Sequence, residues 1–212
     1  MERDFWLTRW QDNQIAFHEG EPNSLLVTHF AALGIPVGRR IFVPLCGKSQ
    51  DMHWLCDQGY RVVGAELSRL AVEQFFAELG VTPVVSLAGR LERFEAGCVI
   101  LFVGDIFDLD RETLGLVDAV YDRAALVALP TPLRERYAAH LVGLSGAAPQ
   151  MLLTFEYDQT GQSGPPFSVL EPEVREHYSP AYRLDRVETR DVPGGLKGIC
   201  PAQESVWLLN PR

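Results

Sequence analysis

Basic residues are few in this chain of 212 residues, in which 19 lysines and arginines stand against 28 aspartates and glutamates, a formal net charge of −9. Nucleic-acid binding relies on clustered lysine and arginine, so this balance argues against nucleic acid as a partner. No apolar run approaches the roughly 20 residues that span a bilayer, and acidic residues in the first thirty positions argue against a secretory signal. We therefore predict a cytoplasmic protein without a nucleic-acid or membrane partner.

Cysteine is also scarce. The four cysteines, Cys46, Cys56, Cys98 and Cys200, are widely spaced, with no C-x-x-C pair and no accompanying histidine pattern. Zinc sites need such patterns, so the sequence predicts no metal site and four reduced thiols. With 47% apolar and 22% charged residues, the composition is typical of a folded globular protein. The length predicts one domain with room for an addition to a basic fold.

Short apolar runs and helical patterns alternate along most of the chain. Strands are predicted at 40–45, 61–66, 84–87, 99–103, 119–121, 151–157, 183–189 and 205–209, and helices at 25–33, 51–58, 68–79, 132–144 and 173–178. Strands that are apolar on both faces and alternate with helices are typical of a mostly parallel sheet covered on both sides. We expect residues 159–172 to form a long loop over the active end of this sheet.

The turn after the first predicted strand contains one glycine, Gly47. A phosphate-binding P-loop requires another glycine five residues earlier, where Phe42 stands, and the dinucleotide fingerprint requires three glycines. Glu66 ends the second predicted strand, where doubly wound sheets place a carboxylate that accepts both ribose hydroxyls. A nucleoside without pyrophosphate suits such a site, and S-adenosylmethionine is the cofactor that fits. The alternative is that Glu66 only begins the following helix.

Two later turns follow apolar strands at the same predicted edge. Asp105 would bond the adenine amino group of the cofactor while Ile106 packs on the ring, although Asp105 and Asp108 are also common turn formers. Arg123 lies among apolar neighbours, where burial without an anionic partner is costly. The methionine carboxylate of the cofactor or an acidic substrate would supply that partner. An exposed surface arginine is the alternative.

Over nearly its whole length the chain resembles the thiopurine S-methyltransferases, and specifically the bacterial members that are also discussed as tellurite- and selenium-methylating enzymes. The segments that carry the resemblance are Phe5-Trp6, Trp10-Gln11-Asp12, Ala16-Phe17-His18, Val43 to Ser49, Asp51-Met52, Trp54-Leu55, Gly64 to Ser68, Gly104 to Phe107 and Tyr121 to Leu126. The resemblance implies a class I S-adenosylmethionine-dependent methyltransferase fold. This is an α/β fold with a doubly wound, mostly parallel seven-stranded sheet and helices on both faces. One domain would cover 1–212, with an N-terminal helical cover at 1–38 and a Rossmann-like core at 39–212.

The resemblance also implies which residues contact the cofactor: Trp10, Leu45, Glu66, Asp105, Ile106 and Arg123. Trp10 would offer an aromatic face to the sulfonium or its methionine stem, or else serve as a buried anchor. Leu45 ends a strand, so its backbone carbonyl is the expected contact.

An acceptor site is expected beside the cofactor. Phe17 would stack on a flat substrate as part of an N-terminal lid, which Pro165, Pro166 and Phe167 would complete, and Arg123 would also face the substrate. The alternatives are a core aromatic at Phe17 and an ordinary connection at 159–172. His18 is expected to have a structural role.

The implied activity is methylation of aromatic or heterocyclic thiols such as thiopurines, with selenium or tellurium species as further acceptors, by a monomer. Such soft anionic nucleophiles need no general base, so no catalytic residue is assigned. Halide, thiocyanate or aliphatic thiol acceptors are the alternative. A non-catalytic cofactor-binding protein and a nicotinamide-dependent oxidoreductase are the competing classes.

Overall fold

A computed structural model of the chain describes residues 3–15 and 19–212. The chain divides into two compact units, Met1–Val120 and Tyr121–Arg212. An organisation as one domain, with 1–38 as a cover on a 39–212 core, stays a prediction.

The first unit combines helices with a sheet of parallel and antiparallel strands. Its helices are α1 (Arg3–Gln11), α2 (Ser24–His29), α3 (Gln50–Asp57), α4 (Arg69–Glu78) and α5 (Arg111–Leu114), with 3-10 turns at Phe30–Leu33 and Ile106–Asp108, and its strands are β1 (Arg40–Pro44), β2 (Arg61–Glu66), β3 (Val84–Ala88), β4 (Leu91–Ala96), β5 (Val99–Val103) and the start of β6 (Ala119–Asp122). The strand order is β3-β4-β5-β2-β1-β6. Strands β5, β2, β1 and β6 run parallel, while β3 and β4 are antiparallel additions. The carboxyl ends of the parallel strands therefore meet at one edge.

Local sequence explains where these elements begin and end. Three consecutive apolar residues, Ile41 to Val43, are buried in β1, as expected for a strand covered on both faces. The Asn23 side chain accepts a hydrogen bond from the Leu25 N–H and caps α2, and Gly34, with φ +66°, ends the 3-10 turn that follows. Ser68 caps α4 in the same way.

The second unit is built around an antiparallel ladder. Its elements are a 3-10 turn at Leu126–Ala128, α6 (Thr131–Ser145), β7 (Gln150–Tyr157), α7 (Glu171–Tyr178), β8 (Tyr182–Asp191) and β9 (Ala202–Pro211). Strand β9 pairs with both β7 and β8. Its core includes the fully buried ring of Trp207, whose Nε1–H donates to Thr154 Oγ1 at 3.0 Å.

Nine strands, not the seven that the resemblance implies, form in the part of the chain that the structure describes. Eight of the nine have a counterpart among the strands predicted by position, and β4 has none. Its residues read L-E-R-F-E-A, with only Leu91 and Phe94 buried, so charged side chains hide the pattern of a strand. Pairing with β5 holds it in place. Strands β8 and β9 form where strands are predicted at 183–189 and 205–209, and both pair in antiparallel fashion.

The prediction of four reduced thiols is wrong for two of them. Cys56 in α3 and Cys98, which precedes β5, form a disulfide with their Cα atoms 6.2 Å apart, a usual separation. Their sequence separation of 42 conceals this proximity, because it arises from strand pairing and helix packing rather than from sequence spacing. Cys46 and Cys200 are free.

The helices of both units are short. The longest of those labelled above, α6, has 15 residues. Over 3–15 and 19–212, no helix combines the length and apolar character that crossing a membrane requires.

Candidate functional site

Three turns meet at the carboxyl ends of β1, β2 and β5. The strand register pairs Pro44 with Ala65 and Glu66 with Val103, and two backbone bonds continue this alignment beyond the strands. The Cys46 N–H donates to the Ala65 carbonyl at 3.1 Å, and the Gly104 N–H donates to the Glu66 carbonyl at 2.9 Å. Ligands of open α/β sheets bind at such an edge, so these turns form the candidate site of the first unit.

The Glu66 carboxylate lies at the centre of these turns and is 6% exposed. Its Oε2 accepts the Gly47 N–H at 2.8 Å and its Oε1 accepts the Ser68 N–H at 2.8 Å. Burial raises the pKa of Glu66, and the backbone hydrogen bonds act in the opposite direction. Glu66 therefore does act at the start of the following helix, as the alternative held, because it accepts the N–H of Ser68, the residue that caps α4. Each carboxylate oxygen can accept a further hydrogen bond, so a ribose site at the same carboxylate is compatible with both contacts.

Trp10 packs on the glycine turn. Its indole is 4% exposed, and a Cβ added to Gly47 would lie 3.0 Å from Trp10 Cζ2. Gly47 also has φ +53°, a backbone conformation that disfavours side chains. The ring is thus a buried anchor, as one alternative held, and it is also at the turn where the cofactor prediction places it.

Leu45 has a left-handed backbone, with φ +47°, although it is not glycine. Such a conformation costs a residue with a Cβ about 1–2 kcal/mol. Strain of this kind persists where surrounding contacts hold it, and it concentrates at ligand-binding turns. Leu45 directly follows β1, which ends at Pro44, and its backbone contact with the cofactor stays a prediction.

Asp105 and Ile106 follow β5 in the same cluster. Asp105 is half-buried, and its Oδ1 accepts the Phe107 N–H at 3.0 Å, so it caps the 3-10 turn that Ile106 begins. The turn-forming alternative thus holds for Asp105, and its contact with adenine stays a prediction. The Ile106 side chain is 5% exposed. Asp108 is a surface residue that accepts a hydrogen bond from Arg90 at 2.9 Å.

Arg123 belongs to the second unit, where it is half-buried just after β6. The residue before it, Asp122, is fully buried and was missed by the sequence analysis. Asp122 Oδ2 accepts the Tyr137 hydroxyl at 2.7 Å, and Oδ1 accepts the Leu126 N–H at 3.1 Å. Burial raises the pKa of Asp122 to about 6. An acidic residue ending an apolar strand was the available signal.

We predict that Asp122 makes the protein less stable as pH rises through weakly acidic values. Its pKa of about 6 in the folded state exceeds the usual 3.8, so the folded protein binds the extra proton. The stabilisation is full below about pH 4 and is lost as pH rises through about 6. Relative to Asp122→Asn, the wild-type free energy of unfolding should fall by about 3 kcal/mol from pH values well below 4 to values well above 6. Urea unfolding across this pH range measures the difference, and parallel curves would contradict it.

The long loop of the second unit is held by several hydrogen bonds. Phe167 N–H donates to the Val127 carbonyl, Tyr157 Oη donates to the Pro166 carbonyl and Lys197 Nζ donates to the Pro165 carbonyl, each at 2.6 Å. The predicted loop boundary at 172 is corrected, because α7 begins at Glu171. The predictions of a lid position for Phe17 and of a structural role for His18 lie outside the described residues.

A model of the family described as Thiopurine S-methyltransferase (TPMT) matches residues 1–210. The chain belongs to the thiopurine S-methyltransferase family. A relative named thiopurine S-methyltransferase from Xanthobacter autotrophicus is 57% identical over 210 residues, 99% of each chain. Another with that name, from Acinetobacter baylyi, is 42% identical over 217 aligned residues, 100% of each chain.

Solved structures confirm the predicted fold class for this member of the family. An S-adenosylmethionine-dependent methyltransferase from Anabaena variabilis matches 99% of this chain and 95% of its own with a TM-score of 0.69 and 13% identity. The 1,6-didemethyltoxoflavin-N1-methyltransferase of Burkholderia thailandensis, solved with S-adenosylhomocysteine, matches 98% of this chain and 87% of its own with a TM-score of 0.65 and 17% identity. The thiopurine S-methyltransferase family is S-adenosylmethionine-dependent, so this chain is a methyltransferase with that cofactor.

The first unit of this family member fits the cofactor. Gly47 provides a turn that a Cβ would obstruct, Glu66 provides a buried carboxylate with acceptor capacity for ribose hydroxyls, and Ile106 provides a buried apolar side chain. The individual contacts of Trp10, Leu45, Asp105 and Arg123 with cofactor stay predictions.

Proposed function

We propose that this enzyme methylates the sulfur of aromatic or heterocyclic thiols such as thiopurines, and that it also methylates selenium or tellurium species in detoxification. The family membership and the names of the relatives support the acceptor class. The observation that supports the cofactor-binding part of the proposal is the buried Glu66 carboxylate, which lies where the ends of β1, β2 and β5 meet.

When bound, S-adenosylmethionine supplies a methyl group on an electrophilic sulfonium. We assign the ribose hydroxyls to Glu66, the adenine to Asp105 and Ile106, and the methionine stem to Trp10 and the Leu45 carbonyl. These residues orient the cofactor, and alignment of the reacting atoms is the main contribution a protein makes to such a displacement.

Arg123 and the second unit supply the proposed acceptor contacts. The guanidinium of Arg123 would bind an anionic group, either the methionine carboxylate or the acceptor. The Phe167 N–H bond to Val127 ties the 158–170 segment to the chain that follows Arg123, so both belong to one hydrogen-bonded region. We propose that Phe167 and the adjacent prolines form an acceptor wall there. A soft anion arrives as a nucleophile, so no residue is assigned as a base.

A turnover panel tests the acceptor class. We expect S-adenosylhomocysteine and an S-methyl product from an aryl thiol and from a thiopurine, and methylated products from selenite or tellurite under reducing conditions. The oxygen analogue of the aryl thiol, a phenol, is the matched control and should give less than about 1% of the rate, because it is a harder nucleophile that stays protonated at neutral pH.

Other patterns of turnover would contradict parts of this proposal. Turnover of iodide, thiocyanate or an aliphatic thiol in place of aryl thiols would assign the enzyme to the alternative acceptor class. Cofactor binding without turnover of any acceptor would indicate a binding protein.

We also propose that the protein is a cytoplasmic monomer without nucleic-acid or membrane partners. For a monomer, light scattering should give the mass of one 23.7 kDa chain.

A further inference from the structure

A buried pair, Asp122 and Tyr137, lies beside the turn that carries Arg123. Both side chains are fully buried. The Tyr137 hydroxyl, from α6, donates to Asp122 Oδ2 at 2.7 Å, and the Leu126 N–H donates to Asp122 Oδ1 at 3.1 Å. The carboxylate therefore joins the end of β6 to α6 through one oxygen and to the 3-10 turn through the other.

The segment enclosed by these contacts has a constrained backbone. Ala124 has φ +59°, a left-handed conformation that a residue with a Cβ rarely adopts. A further bond from the Ala128 N–H to the Ala125 carbonyl, at 3.0 Å, continues the turn into the 3-10 segment. Backbone strain persists only where its surroundings over-determine it. The bond from Asp122 to Leu126, four residues ahead, closes the turn around Arg123 and supplies this restraint.

We propose that Asp122 and Tyr137 are positioning residues for Arg123, holding its turn so that the guanidinium meets an anionic group in one fixed direction. This inference rests on the proposed function of Arg123. A buried carboxylate is a poor choice for stability alone, since an apolar pair of similar volume avoids its desolvation. Fixing an arginine for ion pairing, in contrast, requires a backbone held to within a fraction of an ångström, because small displacements weaken binding and rate.

The test is a double-mutant cycle between Tyr137→Phe and Arg123→Ala. Tyr137→Phe keeps the ring and removes the hydroxyl, and we expect a roughly 2- to 30-fold rise in the Kd of S-adenosylhomocysteine or in the KM of an aryl thiolate, with a smaller change in kcat. A rise in the Kd of S-adenosylhomocysteine would indicate that Arg123 binds the cofactor carboxylate, and a rise in the KM of the aryl thiolate would indicate that it binds the acceptor. In the Arg123→Ala background the same substitution should add nothing to whichever constant rose.

Tyr182→Phe is the matched control. It removes another fully buried tyrosine hydroxyl of the same unit, one that donates to the Ala148 carbonyl at 3.0 Å, and both constants should stay within twofold of the wild type. Thermal melts of every variant separate lost binding from lost folding. If Tyr137→Phe does not fold, Asp122→Asn takes its place in the cycle, since the amide oxygen still accepts the Leu126 N–H.

Two results would overturn the proposal. One is an unchanged Kd and KM in Tyr137→Phe while Arg123→Ala raises either constant. The other is an equal loss from Tyr137→Phe with and without Arg123. If Arg123→Ala changes neither constant, the function proposed for Arg123 itself fails, and the pair then has only a structural role.

Discussion

Glu66→Ala should weaken the binding of S-adenosylhomocysteine by two to four orders of magnitude. Hydrogen bonds to a charged acceptor contribute about 1.5–3 kcal/mol each, so two ribose bonds correspond to about 3–6 kcal/mol. The burial of Glu66, at 6% exposure, removes water that would otherwise replace these contacts. Isothermal titration with S-adenosylhomocysteine measures the effect.

The substitution also has a structural cost that needs its own control. Alanine leaves the N–H groups of Gly47 and Ser68 without their acceptor, so some loss of stability accompanies the loss of affinity. Ser68→Ala is the matched control, because it removes the side-chain cap on the Ala71 N–H, worth about 1 kcal/mol, but keeps the Ser68 N–H on Glu66. It should lower the melting temperature with little change in affinity. Wild-type affinity in a folded Glu66→Ala would leave Glu66 with the role of joining two turns.

Replacing Cys56 and Cys98 by serine should destabilise the protein by about 4 kcal/mol. A disulfide between residues 42 positions apart restricts the unfolded chain by about this amount in the chain-entropy model. Equilibrium unfolding in urea measures the loss. Wild-type protein treated with a reductant should lose a similar amount, whereas the double variant should not respond to the reductant.

Cys200→Ser is the control for the disulfide experiment, because Cys200 is a free, half-buried cysteine. It should change stability by less than about 0.5 kcal/mol. Alkylation of the denatured wild type should label two thiols before reduction and four after it, since Cys46 and Cys200 are free. Four labelled thiols before reduction would contradict the bond and restore the prediction made from spacing alone.

The elements of the sheet were largely predictable because apolar runs and glycine or serine boundaries mark them locally. Strand β2 matches its predicted bounds of 61–66, and Ser68 caps α4 as expected. Strand β4 was not predictable from pattern, since half of its residues are charged and its pairing partner decides its conformation. Single-sequence periodicity reports burial, and a strand with two buried residues carries little of that signal.

The candidate site divides in the same way. Spacing placed Glu66 at the end of β2, but its bonds to the N–H groups of Gly47 and Ser68 depend on how two turns meet in space. Asp122 was missed because the residue that donates a hydrogen bond to its carboxylate, Tyr137, lies 15 positions away and on another element. The disulfide follows the same rule. Positions along strands follow from pattern, while contacts between elements follow from tertiary packing.

The left-handed backbone of Leu45 limits what can replace it during engineering or natural drift. Almost any other residue with a Cβ would carry the same conformational cost. The type of side chain at position 45 can therefore vary, while its left-handed backbone conformation is fixed. Asparagine and glycine tolerate the conformation. Glycine also raises the conformational entropy of the unfolded chain, which offsets part of the stability gained by relieving the strain. Random libraries aimed at greater thermal stability should therefore recover asparagine at position 45 more often than any β-branched residue.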